Sequence, residues 1–165
     1  KALDLAISGD AWFQVQADGA NVMTRDGRFK IDNQGALVTL SGDAVLDAGG
    51  APIQLNAAAG SVDVAGDGVI TQSGNIVGGI GLFSFEPGAD FERYGPSGFR
   101  ANETTEVLVD QSTAGVLQGY VEQSNVNPVQ EITRLITVQR SFEQSVALTE
   151  KSDQSLQTLI RAFGR

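Results

Sequence analysis

After Pro128 the sequence contains no further proline, and it contains no glycine until Gly164. Because glycine and proline are the residues that most often interrupt a helix, this interval predicts one continuous helix. Asn127 is a suitable N-cap, and Pro128 fits the first helical position. Gly164 stands where a helix C-terminus commonly takes a left-handed residue. A helix over these roughly 36 residues would be roughly 54 Å long, more than a small domain needs to cover its own core.

The predicted helix carries an apolar stripe that is interrupted by polar residues. Alternating steps of three and four residues from Ile132 select a heptad-like seam in which seven of ten positions are apolar. The polar positions Gln139, Thr149 and Asp153 would be costly in a dry core but can set register between helices. Further apolar residues widen the stripe, so the helix requires more than one neighbour. The face predicted to mediate assembly consists of Ile132, Leu135, Ile136, Phe142, Val146, Leu156, Leu159, Ile160 and Phe163.

This stripe is open to two interpretations. In the first, the helix lies across the preceding domain and completes its hydrophobic core. In the second, it is an exposed oligomerisation helix that packs against copies of itself or close relatives. The length of the helix and the polar residues in its seam favour the second interpretation.

Before residue 120 the sequence has the pattern of a β domain. Short apolar runs are separated by turns such as Gly9-Asp10, Asp18-Gly19 and Asp26-Gly27, and Asp-Gly pairs are typical of hairpins. Because no helical crossover separates the runs, an antiparallel arrangement is expected. The sequence therefore predicts a mainly β chain: an irregular antiparallel β-sandwich or barrel-like domain over residues 1–120, then one long C-terminal α-helix, with its cap, over residues 121–165.

Alternation within one predicted strand indicates which side chains face the core. In residues 12–16, Phe13 and Val15 fall on one face, whereas Gln14 and Gln16 fall on the other, which is expected to be solvated. Residues 86–105, where proline and glycine recur, are predicted to be a connecting loop. Strands are predicted at residues 3–7, 12–16, 21–25, 29–31, 37–39, 44–46, 53–55, 62–64, 69–71, 76–85, 107–109 and 116–117.

Charge and composition argue against several functional classes. The net charge is −9, with sixteen acids and six bases before Pro128 and four acids and five bases from there on. Nucleic acid is therefore not an expected partner, because phosphate binding needs clustered lysine and arginine. The absence of histidine and cysteine removes the usual zinc ligands, the common general base and the Ser-His and Cys-His pairs. No apolar run approaches the roughly 18 residues of a membrane span, so the chain is not expected to be membrane-embedded.

Carboxylates remain as candidates for catalysis, but many of them stand beside glycines. In that position the turn itself already explains the aspartate. We therefore predict that the chain is not an enzyme and that it has no catalytic, cofactor-binding or metal-binding residue and no small-molecule substrate. The aspartates explained in this way are Asp10, Asp18, Asp26, Asp43 and Asp67.

Three stretches of sequence carry motifs of a known family. Residues 119–129 (GYVEQSNVNPV), followed by Glu131 and residues 139–143, resemble the C-terminal signature of the bacterial flagellar rod and hook axial proteins. Residues 6–15 (AISGDAWFQV) are similar to its β-domain start, although Ala11 departs from the glycine or small turn residue usual there. Residues 24–29 (TRDGRF) and 35–39 resemble the hairpins that follow. The motif residues are Gly9, Asp10, Trp12, Phe13, Thr24, Arg25, Asp26, Gly27, Gly119, Tyr120, Ser124, Asn125 and Val126.

The resemblance implies a structural subunit of the flagellar basal-body rod. Such subunits assemble helically into a hollow drive shaft that transmits torque from the motor to the hook. An N-terminal helical segment pairs with the C-terminal helix in the inner tube, and we expect that this segment precedes Lys1 in the full protein. The compact β domain, with no large insertion after Leu55, favours a proximal rod protein over the alternatives, a distal rod or hook protein.

The resemblance also implies partners and a location. The partners would be copies of the chain and other flagellar rod proteins, in the periplasm-spanning rod of the basal body. The chain would reach that place through the flagellar secretion apparatus. An alternative from another class is a β-rich extracellular domain that acts on or binds carbohydrate, with Trp12 lining a sugar site.

Overall fold

The computed structural model describes residues 1–86, 91–101, 105–108 and 114–164. The chain divides into two units, Lys1–Gln123 and Ser124–Arg165. The first is built from antiparallel strands and the second contains one long helix. The predicted fold class, mainly β with one long C-terminal helix, is therefore confirmed.

The strands of the first unit are short, and positive-φ turn residues such as Asp18 and Gly19 separate several of them. In the described residues the elements are β1 (Leu5–Gly9), β2 (Trp12–Ala17), β3 (Ala20–Thr24), β4 (Phe29–Ile31), β5 (Leu37–Thr39), β6 (Ala44–Val45), β7 (Val62–Val64), β8 (Val69–Gln72), β9 (Asn75–Gly79), β10 (Leu82–Ser84), β11 (Glu92–Tyr94), β12 (Gly98–Arg100), β13 (Glu106–Val107), β14 (Ala114–Gln118) and α1 (Pro128–Phe163).

These strands form three antiparallel sheets. The largest has the order β11-β12-β3-β2-β6-β5-β4, and β10 pairs with both β2 and β13. Its path is open, with β11 and β4 at its two ends in the described part of the chain. A second sheet has the order β7-β8-β9, and a third pairs β1 with β14, with Leu5 opposite Gln118. The first and last strands of the unit are therefore neighbours.

The core of the first unit lies under β2. Phe13 is fully buried, and its ring meets that of Phe29 edge to face, with centroids 5.2 Å apart. Val15, Leu5 and Val45 are also almost completely inaccessible. The placement of Phe13 and Val15 on the core face is thus confirmed.

The prediction that Gln14 faces solvent is wrong. Gln16 is exposed, but Gln14 is only 4% exposed. Its Nε2 donates to Thr105 Oγ1 at 3.0 Å and approaches Met23 Sδ at 3.7 Å. Because Thr105 lies far along the chain, alternation within the strand could not indicate that this part of its outer face is covered.

The predicted connecting loop at residues 86–105 is also wrong in part. The chain forms the hairpin β11–β12 there, and β12 pairs with β3, placing Gly98 opposite Thr24. The turn residues around Pro96 connect two strands instead of marking a long loop. Two parts of the predicted loop, 87–90 and 102–104, lie outside the described residues. So does Val109 of the predicted strand 107–109.

Two further predicted strands differ from the structure. The run 76–85 is divided between sheets, β9 in the second and β10 in the first, with Gly81 between them. A side chain at Gly81 would stand 2.8 Å from the Asp47 backbone, so the crossing requires glycine. Residues 53–55 do not form a strand: Gln54 makes an isolated bridge to Ala36, and the neighbouring Pro52 makes one to Leu46. Pro52 has no N–H with which to extend a ladder.

Candidate assembly surfaces

The helix α1 begins and ends where the sequence indicates. Asn127 has an extended backbone, and its Oδ1 accepts a hydrogen bond from Val129 N at 3.0 Å, while Pro128 occupies the first helical position. At the other end Gly164 N donates to Ile160 O at 2.9 Å. The expected left-handed cap is wrong, however, because Gly164 has φ −92°.

Every residue of the predicted assembly face is exposed. The exposed fraction of these side chains runs from 41% at Val146 to 84% at Phe163. The helix has no buried residue, so the structure places the whole face on an accessible surface. The face comprises Ile132, Leu135, Ile136, Phe142, Val146, Leu156, Leu159, Ile160 and Phe163.

A row of small hydroxyl residues runs along α1 at intervals of four. Each hydroxyl donates to the carbonyl oxygen four residues earlier, at 2.9 to 3.0 Å. Burying these hydroxyls against a neighbour would therefore cost little, because their donors are already satisfied. Thr149, a polar position of the seam, is one of them. The row consists of Thr133, Thr137, Ser141, Ser145 and Thr149.

In the first unit, the structure brings several motif residues together around one guanidinium group. Arg25 Nη1 donates to the carbonyl oxygens of Gly9 at 3.1 Å and Ala11 at 2.8 Å. Its Nε donates to Glu122 Oε2 at 2.7 Å. The same guanidinium lies over the Trp12 ring, 5.8 Å from the centroid. Arg25 thus joins the turn before β2 to the segment after β14.

Trp12 also belongs to an aromatic group on the outer face of the large sheet. Its ring meets Phe85 and Phe99 edge to face, with centroids 5.5 and 5.6 Å away. Phe91 contacts Phe99 in turn at 5.1 Å. A tryptophan with two aromatic neighbours and an arginine above it is positioned for packing, which argues against the sugar-site alternative.

The Thr24–Gly27 motif forms a tight, internally bonded turn. Thr24 Oγ1 accepts from Asp26 N and donates to Ser97 O, both at 3.0 Å. The Asp26 carboxylate receives two bonds from the Arg28 guanidinium, at 2.8 and 2.6 Å. These bonds hold the pKa of Asp26 below its ordinary value, although partial burial acts in the opposite direction.

The C-terminal motif residues do not share a single site. Gly119 has φ +87° and donates its N–H to Asp4 O at 2.7 Å, whereas Tyr120 is 65% exposed. Ser124 Oγ accepts from Val126 N at 3.1 Å. Asn125 and Val126 are exposed. The motif therefore has one part that anchors the end of the first unit and one that precedes α1.

Several aspartates accept backbone N–H groups two residues ahead, as Asp67 does from Val69 and Asp47 from Gly49.

A cleft of about 190 Å³ is lined by residues that include Asp26, Arg28 and Tyr94. The described residues include no group of three or more acidic side chains arranged to hold a metal ion, and no helix there is long and apolar enough to cross a membrane.

Sequence reasoning did not single out Glu122 and Gln118 individually, although both carry structural contacts. Glu122 lies within the quoted motif but has no periodic or turn signal of its own. The Gln118 side chain donates to Ala2 O and Val62 O and accepts from Val64 N. Gln118 belongs to no recognised motif, and a lone glutamine in a strand gives no pattern that would reveal such contacts.

Comparison with known proteins gives matches to both units. The family described as flagellar basal body rod FlgEFG protein C-terminal matches residues 117–162. The family described as flagellar hook protein FlgE/F/G D1 domain matches residues 6–72. The two matches cover the start of the β unit and nearly all of α1.

Individual relatives align along almost the whole chain. A flagellar basal-body rod protein FlgF of Mesorhizobium japonicum is 48% identical over 161 residues, covering 98% of this chain and 67% of the relative. A FlgF of Rhizobium meliloti is 45% identical, covering 99% and 68%. A flagellar basal-body rod protein FlgG of Bacillus subtilis is 32% identical, covering 97% and 65%. The chain spans about two thirds of the length of these relatives.

Proposed function

Because the chain belongs to the family of flagellar basal-body rod proteins and is a structural, proximal-rod-like subunit of that rod, we propose that α1 is the element through which its subunits are joined. The observation that carries this proposal is the uncovered apolar face of α1, with Phe142 69% and Ile160 70% exposed. A face with nine exposed apolar side chains on one helix marks a surface that is covered in the working assembly.

The energetics favour several neighbours for each helix. Full burial of one Leu, Ile or Phe side chain contributes about 2 kcal/mol. The apolar residues are spread around more of the helix than a two-helix seam uses, since Ile136 and Leu159 lie beside the heptad positions. We therefore propose that copies of the chain and other rod subunits pack along this wide apolar face of α1.

We propose that these contacts run head to tail with a rotation that does not close, so that they produce an open helical assembly instead of a closed ring. In it α1 forms part of the tube wall, and its rigid packing transmits torque. The role is mechanical, and we propose that the chain catalyses no reaction. In support of this, the carboxylates of Asp26, Asp47 and Asp67 are engaged in turns.

The family places the chain in the flagellar basal body. We propose further that it lies in the periplasm-spanning part of the rod and is exported by the flagellar secretion apparatus. The higher identity to relatives named FlgF than to those named FlgG supports a proximal rod position over a distal one.

The test is complementation of a strain that lacks this rod protein with full-length variants. Leu135→Ala together with Phe142→Ala removes apolar area but keeps helix propensity, because alanine is the best helix former. The matched control is Gln144→Ala with Ser155→Ala, on the opposite side of α1 at 100° per residue. We expect cells with the first pair of substitutions neither to swim nor to yield rods that can be isolated. Cells with the control pair should do both. Normal rods with the first pair would contradict the proposal.

A further inference from the structure

Arg25 joins two segments that are far apart in the chain. Its Nη1 contacts the carbonyl oxygens of Gly9 and Ala11, and its Nε holds Glu122 Oε2 at 2.7 Å. The Trp12 ring lies under the guanidinium plane and limits where it can move. We refer to Arg25 with these four partners as the Arg25 clamp.

The segment held by the clamp is the last part of the first unit. It is fixed at one end by Gly119 N, which donates to Asp4 O at 2.7 Å, and at the other by Glu122. Between these two points the segment has no strand partner, and Val121 and Tyr120 are exposed. The contact between Arg25 and Glu122 therefore tethers residues 120–123 to the rest of the first unit.

The clamp lies at the surface and not in the core. The Arg25 side chain is 25% exposed and that of Glu122 is 41% exposed. Neither belongs to the hydrophobic cluster that holds the sheets together. Breaking the ion pair should leave the β unit folded while releasing residues 120–123.

We propose that Arg25 is a positioning residue that fixes the point from which the chain leaves the first unit toward α1. The guanidinium is suited to this because its fixed planar fork donates to two carbonyl oxygens through Nη1 and to one carboxylate through Nε, while the group lies over the Trp12 ring. The consequence for assembly rests on the function proposed above: a released segment leaves α1 without a defined starting point, so subunits join less efficiently.

The clamp is tested first on the full chain by hydrogen–deuterium exchange read by NMR. Glu122→Gln removes the charge but keeps the shape. The reporter is the Gly119 amide, which donates to Asp4 O and should open more often when residues 120–123 are released. We expect its exchange to rise roughly two- to fivefold, the effect of a partly exposed ion pair. The matched control is Glu92→Gln, which removes the Arg100–Glu92 pair of the same unit and should leave exchange of the Gly119 amide unchanged. Equal exchange in the wild type and Glu122→Gln would overturn the proposal.

A double-mutant cycle separates the clamp from a general loss of stability. Once Arg25→Ala has been made, adding Glu122→Gln should have no further effect on this exchange, because the partner is already gone. Additive effects of the two changes would contradict the proposed coupling. The single tryptophan gives a second readout: Arg25→Ala should move Trp12 emission to longer wavelength, whereas Glu122→Gln should not. Unchanged Trp12 emission in Arg25→Ala would contradict the placement of Arg25 over the ring.

Complementation then tests the consequence. We expect Glu122→Gln in the full-length protein to reduce the number of isolated rods severalfold and Glu92→Gln to leave it unchanged. If Glu122→Gln gives normal rods while the Leu135/Phe142 pair abolishes them, the positioning role fails and the assembly role of α1 stands. If both give normal rods, the proposed function fails as well.

Discussion

The α-carbon of Gly27 lies directly against the backbone of Leu5. Leu5 N donates to Gly27 O at 2.9 Å, and a Cβ on Gly27 would overlap the Leu5 carbonyl oxygen. The same Cβ would stand 3.1 Å from the Phe13 ring. Glycine is required at this motif position by the close approach of two backbones over the core, and not by an unusual φ.

We predict that Gly27→Ala destabilises the first unit strongly, because β1 must move away from the turn to admit the methyl group. Overpacking of a dense site costs about 1–3 kcal/mol, and backbone has less freedom to yield than a side chain. Urea unfolding followed by circular dichroism measures the change. The control is Gly78→Ala, where a Cβ would meet nothing within 4 Å. A loss of stability no larger than in that control would contradict the packing argument.

Gln118 offers a second test, because its side chain connects the β1–β14 sheet to β7. Nε2 donates to Ala2 O at 2.7 Å and to Val62 O at 2.8 Å, while Oε1 accepts from Val64 N at 3.0 Å. Gln118→Met keeps the length of the side chain but leaves these backbone groups unpaired. We expect a loss of about 1–3 kcal/mol in the free energy of unfolding.

The control for that change is Gln16→Met, at an exposed position of β2. It should alter the free energy of unfolding by less than about 0.5 kcal/mol. Equal effects of the two substitutions would show that the Gln118 contacts contribute nothing specific. A further check is hydrogen exchange of the Val64 amide, which should accelerate in Gln118→Met alone.

The third prediction concerns pH and the pair formed by Asp26 and Arg28. The hydrogen bonds from Arg28 lower the pKa of Asp26 in the folded chain below its ordinary value of 3.8. A carboxyl group whose pKa is lower in the folded chain than in the unfolded chain stabilises the folded state at pH values above its unfolded-state pKa. That contribution is lost as the pH falls through its folded-state pKa. The difference in unfolding free energy between the wild type and Asp26→Asn should therefore be largest near neutral pH. It should shrink progressively as the pH falls below about 4.

Denaturant titrations at several pH values measure this difference. In an Arg28→Met background the substitution Asp26→Asn should lose most of its pH-dependent effect, because Arg28 is the main cause of the lowered pKa. A difference that is independent of pH in the wild-type background would show that the ion pair does not stabilise the fold.

The sequence predicts best those elements whose signals are local. The strands Phe29–Ile31, Leu37–Thr39 and Val62–Val64 have the predicted bounds, because a turn lies close to each end of these short apolar runs. The helix Pro128–Phe163 is also as predicted, since its cap and its freedom from glycine and proline can be read without tertiary information.

Elements that depend on distant partners were not predictable in this way. The hairpin β11–β12 has strands of three residues around a turn with Gly95 and Pro96, too short for any periodicity. It is stabilised by pairing with β3, which lies more than seventy positions earlier. The burial of Gln14 has the same origin, because its partner Thr105 is 91 positions away.

The candidate assembly surfaces show the same contrast between features with a local sequence signal and features that depend on distant partners. The apolar face of α1 could be identified from spacing alone. The contacts of Arg25 could not, because Glu122 is 97 positions away in the chain and no pattern in either segment indicates that they meet. The guanidinium contacts two carbonyl oxygens, a carboxylate and an aromatic ring. These contacts can be identified only in the folded structure, where the sheets bring the segments together.

The pairing of β1 with β14 has a kinetic consequence. The first strand finds its partner at the far end of the unit, and Ala2 and Gln118, which bond to each other, are 116 positions apart. Contacts of such long sequence separation incur a loop-closure entropy before they contribute any stability, and chains rich in them fold slowly. The hairpins β2–β3 and β8–β9 can form early, but the β1–β14 sheet can close only once residue 118 is free to join it. Completion of this fold is therefore governed by its last strand.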